Sequence, residues 1–155
     1  MPLPKLLANG LLPEGVHDAS VDELIAMFCV GERQLRANAL LEFVAHVRDE
    51  RIFRAVFFDG SFVTAKRSPR DVDVVLEVHD WLSAPEFSSH IAVQRLRDTT
   101  FAEQWGVSCE DVFHPLLGAA IDSWIVGHFQ TMKPATALEL GVPIDIRKGI
   151  VRVML

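Results

Sequence analysis

Two short motifs carry residue types that could do chemistry together: Gly60-Ser61 and Asp71-Val72-Asp73. Two aspartates two positions apart on a strand share a face, with their Cα atoms roughly 6.5–7 Å apart. Carboxylates placed this way can converge on a hard cation, and Mg²⁺ suits a few carboxylates plus phosphate oxygens. Beside a run of valines, two uncompensated like charges are unfavourable, and a metal or a cation such as Arg70 relieves them. The Gly60-Ser61 pair follows an apolar run. A strand that ends in glycine and opens a helical turn at serine aims unpaired backbone amides at whatever lies in front. Gly60 permits close approach because it has no Cβ, and the Ser61 hydroxyl adds a donor. Taken singly, each motif has a plain structural account, as a turn and as a solvated strand start.

The elements that must position these motifs are legible in the flanking pattern. Ile52 to Phe58 is rich in aromatic and β-branched residues, which suit a strand, and its near-continuous apolarity implies burial on both faces. Phe62 to Lys66 reads as about one helical turn, and Arg67 to Arg70 as a turn around Pro69. Asp71 to Val78 is the second strand. Val72, Val74, Leu76 and Val78 lie on one face, and Asp71, Asp73, Val75 and Glu77 on the other. Val107 to Phe113 is a third strand, and Ile150 to Leu155 a last one.

Residues 1–19 look irregular, broken by Pro2, Pro4, Pro13, Gly10 and Gly15. Ser20 and Glu23 then form a capping box that opens a helix over Val21 to Phe28. A second helix, Arg33 to Arg48, carries Ala37, Leu40, Leu41, Val44 and Val47 as its buried stripe. Arg33, Arg36, Glu42 and Arg48 fall on its solvated face. Pro85 to Trp105 reads as mostly helix, Leu117 to Phe129 as a helix bearing Ile121, Trp124 and Ile125, and the segment around Pro134, Gly141 and Pro143 as loop. The expected fold is α+β: a small mixed sheet packed by helices. It forms one domain over 1–155, with a helical N-terminal elaboration over 1–50 and a core site region over 51–115.

Composition bounds the partners. Half the residues are apolar and 23% are charged, the balance of a globular protein. The net charge of −6 disfavours nonspecific nucleic-acid binding, which needs many phosphates neutralised, but leaves room for a basic pocket around one triphosphate. No apolar run is long enough to suggest a membrane span, and the N-terminus lacks a signal-peptide pattern. Cys29 and Cys109 lie far apart without metal-site spacing, as expected of thiols in a reducing compartment, so a cytoplasmic location is expected.

Gly60-Ser61, nine intervening residues and Asp71-Val72-Asp73-Val74 between two apolar strands resemble the Gly-Ser…Asp-x-Asp signature of the DNA polymerase β-like nucleotidyltransferase superfamily. The stretch from Gly60 to Lys66, with Pro69 and Asp71-Val72-Asp73, is also similar to a group of small bacterial nucleotidyltransferase-like proteins. So are Leu12-Pro13-Glu14-Gly15-Val16-His17, Phe129-Gln130 and Lys148-Gly149-Ile150-Val151. The resemblance implies a two-metal nucleotidyl transfer, in which Asp71 and Asp73 hold Mg²⁺ or Mn²⁺ while Gly60 and Ser61 cradle the phosphates of an NTP. It also implies a third carboxylate on a later strand. Asp111 is the candidate and Glu110 the alternative, since strand parity does not separate them. Glu77 shares the face of Asp73 but sits roughly 13 Å away along the strand, too far for the same metal.

Lys66 could meet the triphosphate as a mobile point charge, or be an exposed loop lysine. Asp59 is expected to cap the turn or to add charge to the site, and His114 to bond to backbone at a strand end or to contact the acceptor or base. Two functions follow. One is a Mg-dependent enzyme moving a nucleoside monophosphate from an NTP to a hydroxyl on a protein, RNA or small molecule. Its pocket would be completed by a second copy or a protein partner, as in toxin–antitoxin or defence systems. The other is a catalytically silent nucleotide-binding or protein-interaction module of the same fold.

Overall fold

The strand at Phe53–Asp59 (β2) sits near the middle of a five-stranded sheet, as its unbroken apolarity requires. A computed structural model describes residues 2–83, 85–87, 100–115 and 127–155. The strands run in the order β1-β5-β2-β3-β4, where β1 is Val16–Asp18, β3 Val72–Val78, β4 Val107–Phe113 and β5 Ile150–Met154. β2 pairs antiparallel with both β3 and β5, whereas β3–β4 and β1–β5 are parallel. The sheet is therefore mixed and the fold is α+β.

Side-chain alternation divides the sheet into two environments. Val56 and Phe58 of β2, Val72, Val74 and Leu76 of β3, and Val151 of β5 pack into one large core. Helix α1 (Val21–Phe28) contributes Leu24 and Phe28 to that core, and α2 (Ala37–Asp49) contributes Leu40, Phe43, Val44 and Val47. The helical segment 100–105 closes it, with the Phe101 ring 5.4 Å from that of Phe43. The opposite face holds a smaller cluster built on Ala55, Phe57, Val75, Phe113 and Ile150. Asp73 and Glu77 lie on that second face, in the alternation read from the sequence.

The capping box at α1 forms as the sequence dictates: Glu23 N donates to Ser20 Oγ (3.1 Å) and Ser20 N to Glu23 Oε2 (2.7 Å). The helix expected over Arg33 to Arg48 begins instead as a 3₁₀ segment, Gly31–Arg36, and becomes α2 only at Ala37. Its buried stripe takes Phe43 in place of Leu41, which is 40% exposed. Two expected loops are regular structure. Val16–Asp18 pairs with β5, a three-residue edge strand too short to show alternation. Pro134–Leu140 is a helix, α3, with Pro134 in its first turn and Gly141 left-handed at φ 67° as its C-terminal cap. These are ordinary helix punctuation, and they read as loop only when taken as breakers. The middle of the expected helix at Pro85 to Trp105 (88–99) and most of that at Leu117 to Phe129 (117–126) lie outside the described residues.

Arg33 overturns its expected place on a solvated face. It is buried, and its guanidinium donates to the carbonyls of Phe62 (2.7 Å), Thr64 (2.8 Å) and Lys66. Arg36 donates to the carbonyls of Pro69 (2.9 Å) and Arg70 (2.8 Å). A planar fork of five donors suits this work, because the 60–70 connection leaves its carbonyls without a ladder. The N-terminal helices thus hold the loop that joins the two motifs. Replacing Arg33 by Met leaves these carbonyls and that of Phe28 without their donor and is expected to lower the unfolding free energy by about 2–3 kcal/mol in urea denaturation. A loss within experimental error would show that water replaces the fork.

Candidate functional site

β2 ends at Asp59, which pairs directly across the ladder with Asp73 of β3. The chain then turns at Gly60, φ +69°, into a 3₁₀ segment, Gly60–Val63. A Cβ built on Gly60 would fall 2.0 Å from Asp73 Oδ2 and 2.8 Å from its Cγ. The Asp73 carboxylate therefore occupies the space that any other residue at position 60 would need.

Glu110 reaches this point through a register irregularity. The β3–β4 pairs run Asp73 with Ser108, Val74 with Cys109, then Val75 with Asp111. Glu110 is the extra residue of a bulge, a device that re-aims a side chain off the regular alternation. It lines one cavity with Asp73, Asp59, Gly60 and Ser61, of about 250 Å³. Burial, the hydrogen bond to Asp73 and the Asp73 charge together push its carboxyl up to about 7. Asp111 goes elsewhere: its Oδ1 accepts from Val112 N (2.8 Å), and it does not line the cavity.

The far wall comes from residues 128–136 and Lys148. Lys133 Nζ lies 3.1 Å from Asp73 Oδ2. Burial works to lower the Lys133 ammonium, but the hydrogen bond to Asp73 and the charges of Asp73, Glu110 and Asp71 outweigh it and hold it above its ordinary value. Asp71 is thus near enough to act on the same lysine, from the residue before β3. Lys148, itself buried, donates to Asp59 Oδ1 (2.6 Å) and to the carbonyl of Phe129 (3.2 Å). Burial pushes the Asp59 carboxyl up and the Asp73 charge adds to the rise, against the charge and hydrogen bond of Lys148 and a hydrogen bond from the Gly60 backbone.

Three scattered sequence elements meet behind this wall. Gly15 N donates to Gln130 Oε1 (2.5 Å), Lys148 N to the Gln130 carbonyl (2.9 Å) and Gly149 N to the Leu12 carbonyl (3.1 Å). A Cβ on Gly149 would stand 2.2 Å from the carbonyl oxygen of Pro13 and 2.8 Å from His17 Nε2. The stretches 12–17, 129–130 and 148–151 are therefore one structural unit, and it carries Lys148.

Of the sequence candidates, Gly60, Ser61 and Asp73 come together in the cavity, with Asp71 at its electrostatic edge. Lys66 lines a different groove beside Arg33 and Thr64. Glu77 is held by Arg54 (2.6 and 3.2 Å), and His114 Nε2 lies 2.7 Å from the Leu82 carbonyl. No sequence signal singles out Lys133, and none gives Lys148 a role. Lys133 precedes a proline and so read as loop, while Lys148 lay in a recognised stretch but far from the aspartates in sequence.

For a hard divalent cation, the donor chemistry of Asp73 and Glu110 fits: two carboxylates close enough that one is held toward its protonated form are what such a cation relieves. Among the described residues, no three His, Cys, Asp or Glu side chains converge into a ready cation cage, and Lys133 supplies the charge on Asp73.

Two outcomes follow from this geometry. Gly60→Ala combines a left-handed backbone with a clash against Asp73, and is expected to cost more than about 2 kcal/mol in chemical denaturation. A near-neutral effect would show that Asp73 can vacate the space. Glu110, raised from 4.5 to about 7, holds a proton in the folded state that the unfolded chain has released between those values. Its stabilising contribution is therefore complete below about pH 4.5 and is lost as pH rises through about 7. Wild-type unfolding free energy should then fall more steeply from about pH 5 to about pH 8 than that of Glu110→Gln. Parallel profiles would refute a proton held on Glu110.

No curated protein and no solved structure matches the chain. A family model does, across residues 4–154, and the chain belongs to that family, described as a family of unknown function, DUF6932.

Proposed function

We propose that the protein is a Mg²⁺- or Mn²⁺-dependent nucleotidyltransferase, moving a nucleoside monophosphate from an NTP to an acceptor hydroxyl. The observation that carries this reading is the bulge that aims Glu110 at Asp73 beside the Gly60-Ser61 turn. Asp71 and Asp73 would hold the cation, with Glu110 in the role first given to Asp111. The cation's contribution would be to offset charge on the triphosphate and on the departing pyrophosphate.

The chain's own residues supply the rest. Ser61 faces the phosphates with its hydroxyl. Glu110, with its repulsion from Asp73 offset by the cation, accepts the acceptor's proton as the acceptor oxygen bonds to the α-phosphorus and the bond to pyrophosphate breaks. Lys148 keeps Asp59 neutralised beneath the turn. A cavity of about 250 Å³ is small for a nucleotide plus an acceptor, which favours completion by a second copy or a protein partner. A toxin–antitoxin or defence setting suits such a minimal enzyme.

The Lys133–Asp73 contact favours the second reading, a nucleotide-binding or protein-interaction module without turnover, because an ammonium stands where a cation would bind. Labelled NTPs with Mg²⁺ or Mn²⁺, with and without host lysate, separate the two. Transfer to a macromolecule or small acceptor is expected from wild type. It should drop at least about 100-fold in Asp71→Asn with Asp73→Asn, and in Glu110→Gln, while Asp111→Asn keeps most of it. Transfer that survives the double aspartate change would sink the assignment.

A further inference from the structure

Lys133 has a fixed backbone and a largely exposed side chain that ends on Asp73. Met132 before it is buried against a cluster with Leu11 and Ala137, and Pro134 after it opens α3. The Lys133 carbonyl accepts from Ala137 N (3.0 Å). As the residue before a proline it is confined to extended backbone, here φ −73° and ψ 139°. Its side chain is 65% exposed, whereas that of the Asp73 it meets is only 6% exposed. The arrangement is a charge on a tether, anchored at the rim and closing over a buried acceptor.

We propose that Lys133 is the resident counter-ion of this carboxylate site: its ammonium neutralises Asp73 in the cation-free protein and must leave before a divalent cation can bind there. On leaving, it turns to the anionic phosphates that accompany the cation. This second half rests on the nucleotidyl-transfer reading, and the first does not. An ion pair with one exposed partner is weak, so it yields to a divalent ion yet competes with it. Cation alone then binds poorly, and cation with polyphosphate binds better, because the displaced ammonium gains a new partner. A bare metal ion is thereby held off until a ligand arrives with it.

Mn²⁺ binding to the full chain, followed by the electron paramagnetic resonance signal of free Mn²⁺, tests the idea without turnover. Lys133→Met, and Lys133→Gln as a second neutral variant, are expected to bind Mn²⁺ about three- to tenfold more tightly than wild type. Lys133→Arg keeps the charge and should stay near wild type. Asp73→Asn should lose the site in either background. Unchanged or weaker Mn²⁺ binding by both neutral variants, with circular dichroism showing them folded, overturns the proposal, as does a chain that binds no Mn²⁺ in any variant. A nonhydrolysable NTP distinguishes the two readings. Tighter Mn²⁺ binding in the neutral variants with no NTP binding by wild type upholds the counter-ion and removes nucleotidyl transfer.

Discussion

The constraint on which the site depends is a missing side chain. Asp73 Oδ2 lies where the Cβ of any residue but glycine would stand at position 60, so carboxylate and turn share one volume. That overlap fixes the carboxylate at the start of β3 against Asp59 at the end of β2. Two acidic groups paired across a ladder repel each other, so the fold has to supply cations. It supplies Lys148 from below and Lys133 from the rim, both from the C-terminal part of the chain. Their placement needs residues 129–130 and 148–151 held against 12–17.

The two faces of the sheet divide the work. One is packed by α1, α2 and the segment 100–105, and supplies most of the apolar burial. The same helical layer reaches past its own core through Arg33 and Arg36 to hold the carbonyls of the 60–70 loop. Among the described residues, the opposite face carries the smaller apolar cluster, and its Glu77, Asp73 and Asp59 meet Arg54, Lys133 and Lys148. A buried pair such as Asp59–Lys148 is weak evidence for stability, since desolvation consumes much of its attraction. Its evident effect is geometric: it ties the floor of the cavity to the segment that forms its wall.

Much of this was legible in the sequence for a definite reason. Strand alternation put Asp73 and Glu77 on one face, the capping box fixed the start of α1, and Gly60-Ser61 marked the turn. Each of those signals is local. What escaped was set by neighbours distant in the chain. Arg33 looked like a solvated residue because its carbonyl partners lie about thirty positions away. Glu110 and Asp111 could not be separated because a bulge, invisible to a period-two pattern, decides which one reaches Asp73. Lys133 and Lys148 carry no local sign of their partners. Pro134 and Gly141 did mark a helix, but taken as breakers they hid it.

Lys148 and Asp59 are 89 positions apart, and β2 finds its neighbour β5 across a still longer span. Closing so long a loop is slow compared with forming the β2–β3 pair, which needs only the short 60–71 connection. During synthesis the acidic end of β2 and β3 therefore exists before either lysine has been made. Until the last strand docks, the unneutralised aspartates disfavour burial of that edge and keep it hydrated. The cavity is thus among the last features to mature, and nothing that needs both lysines in place can precede the completed sheet that houses them.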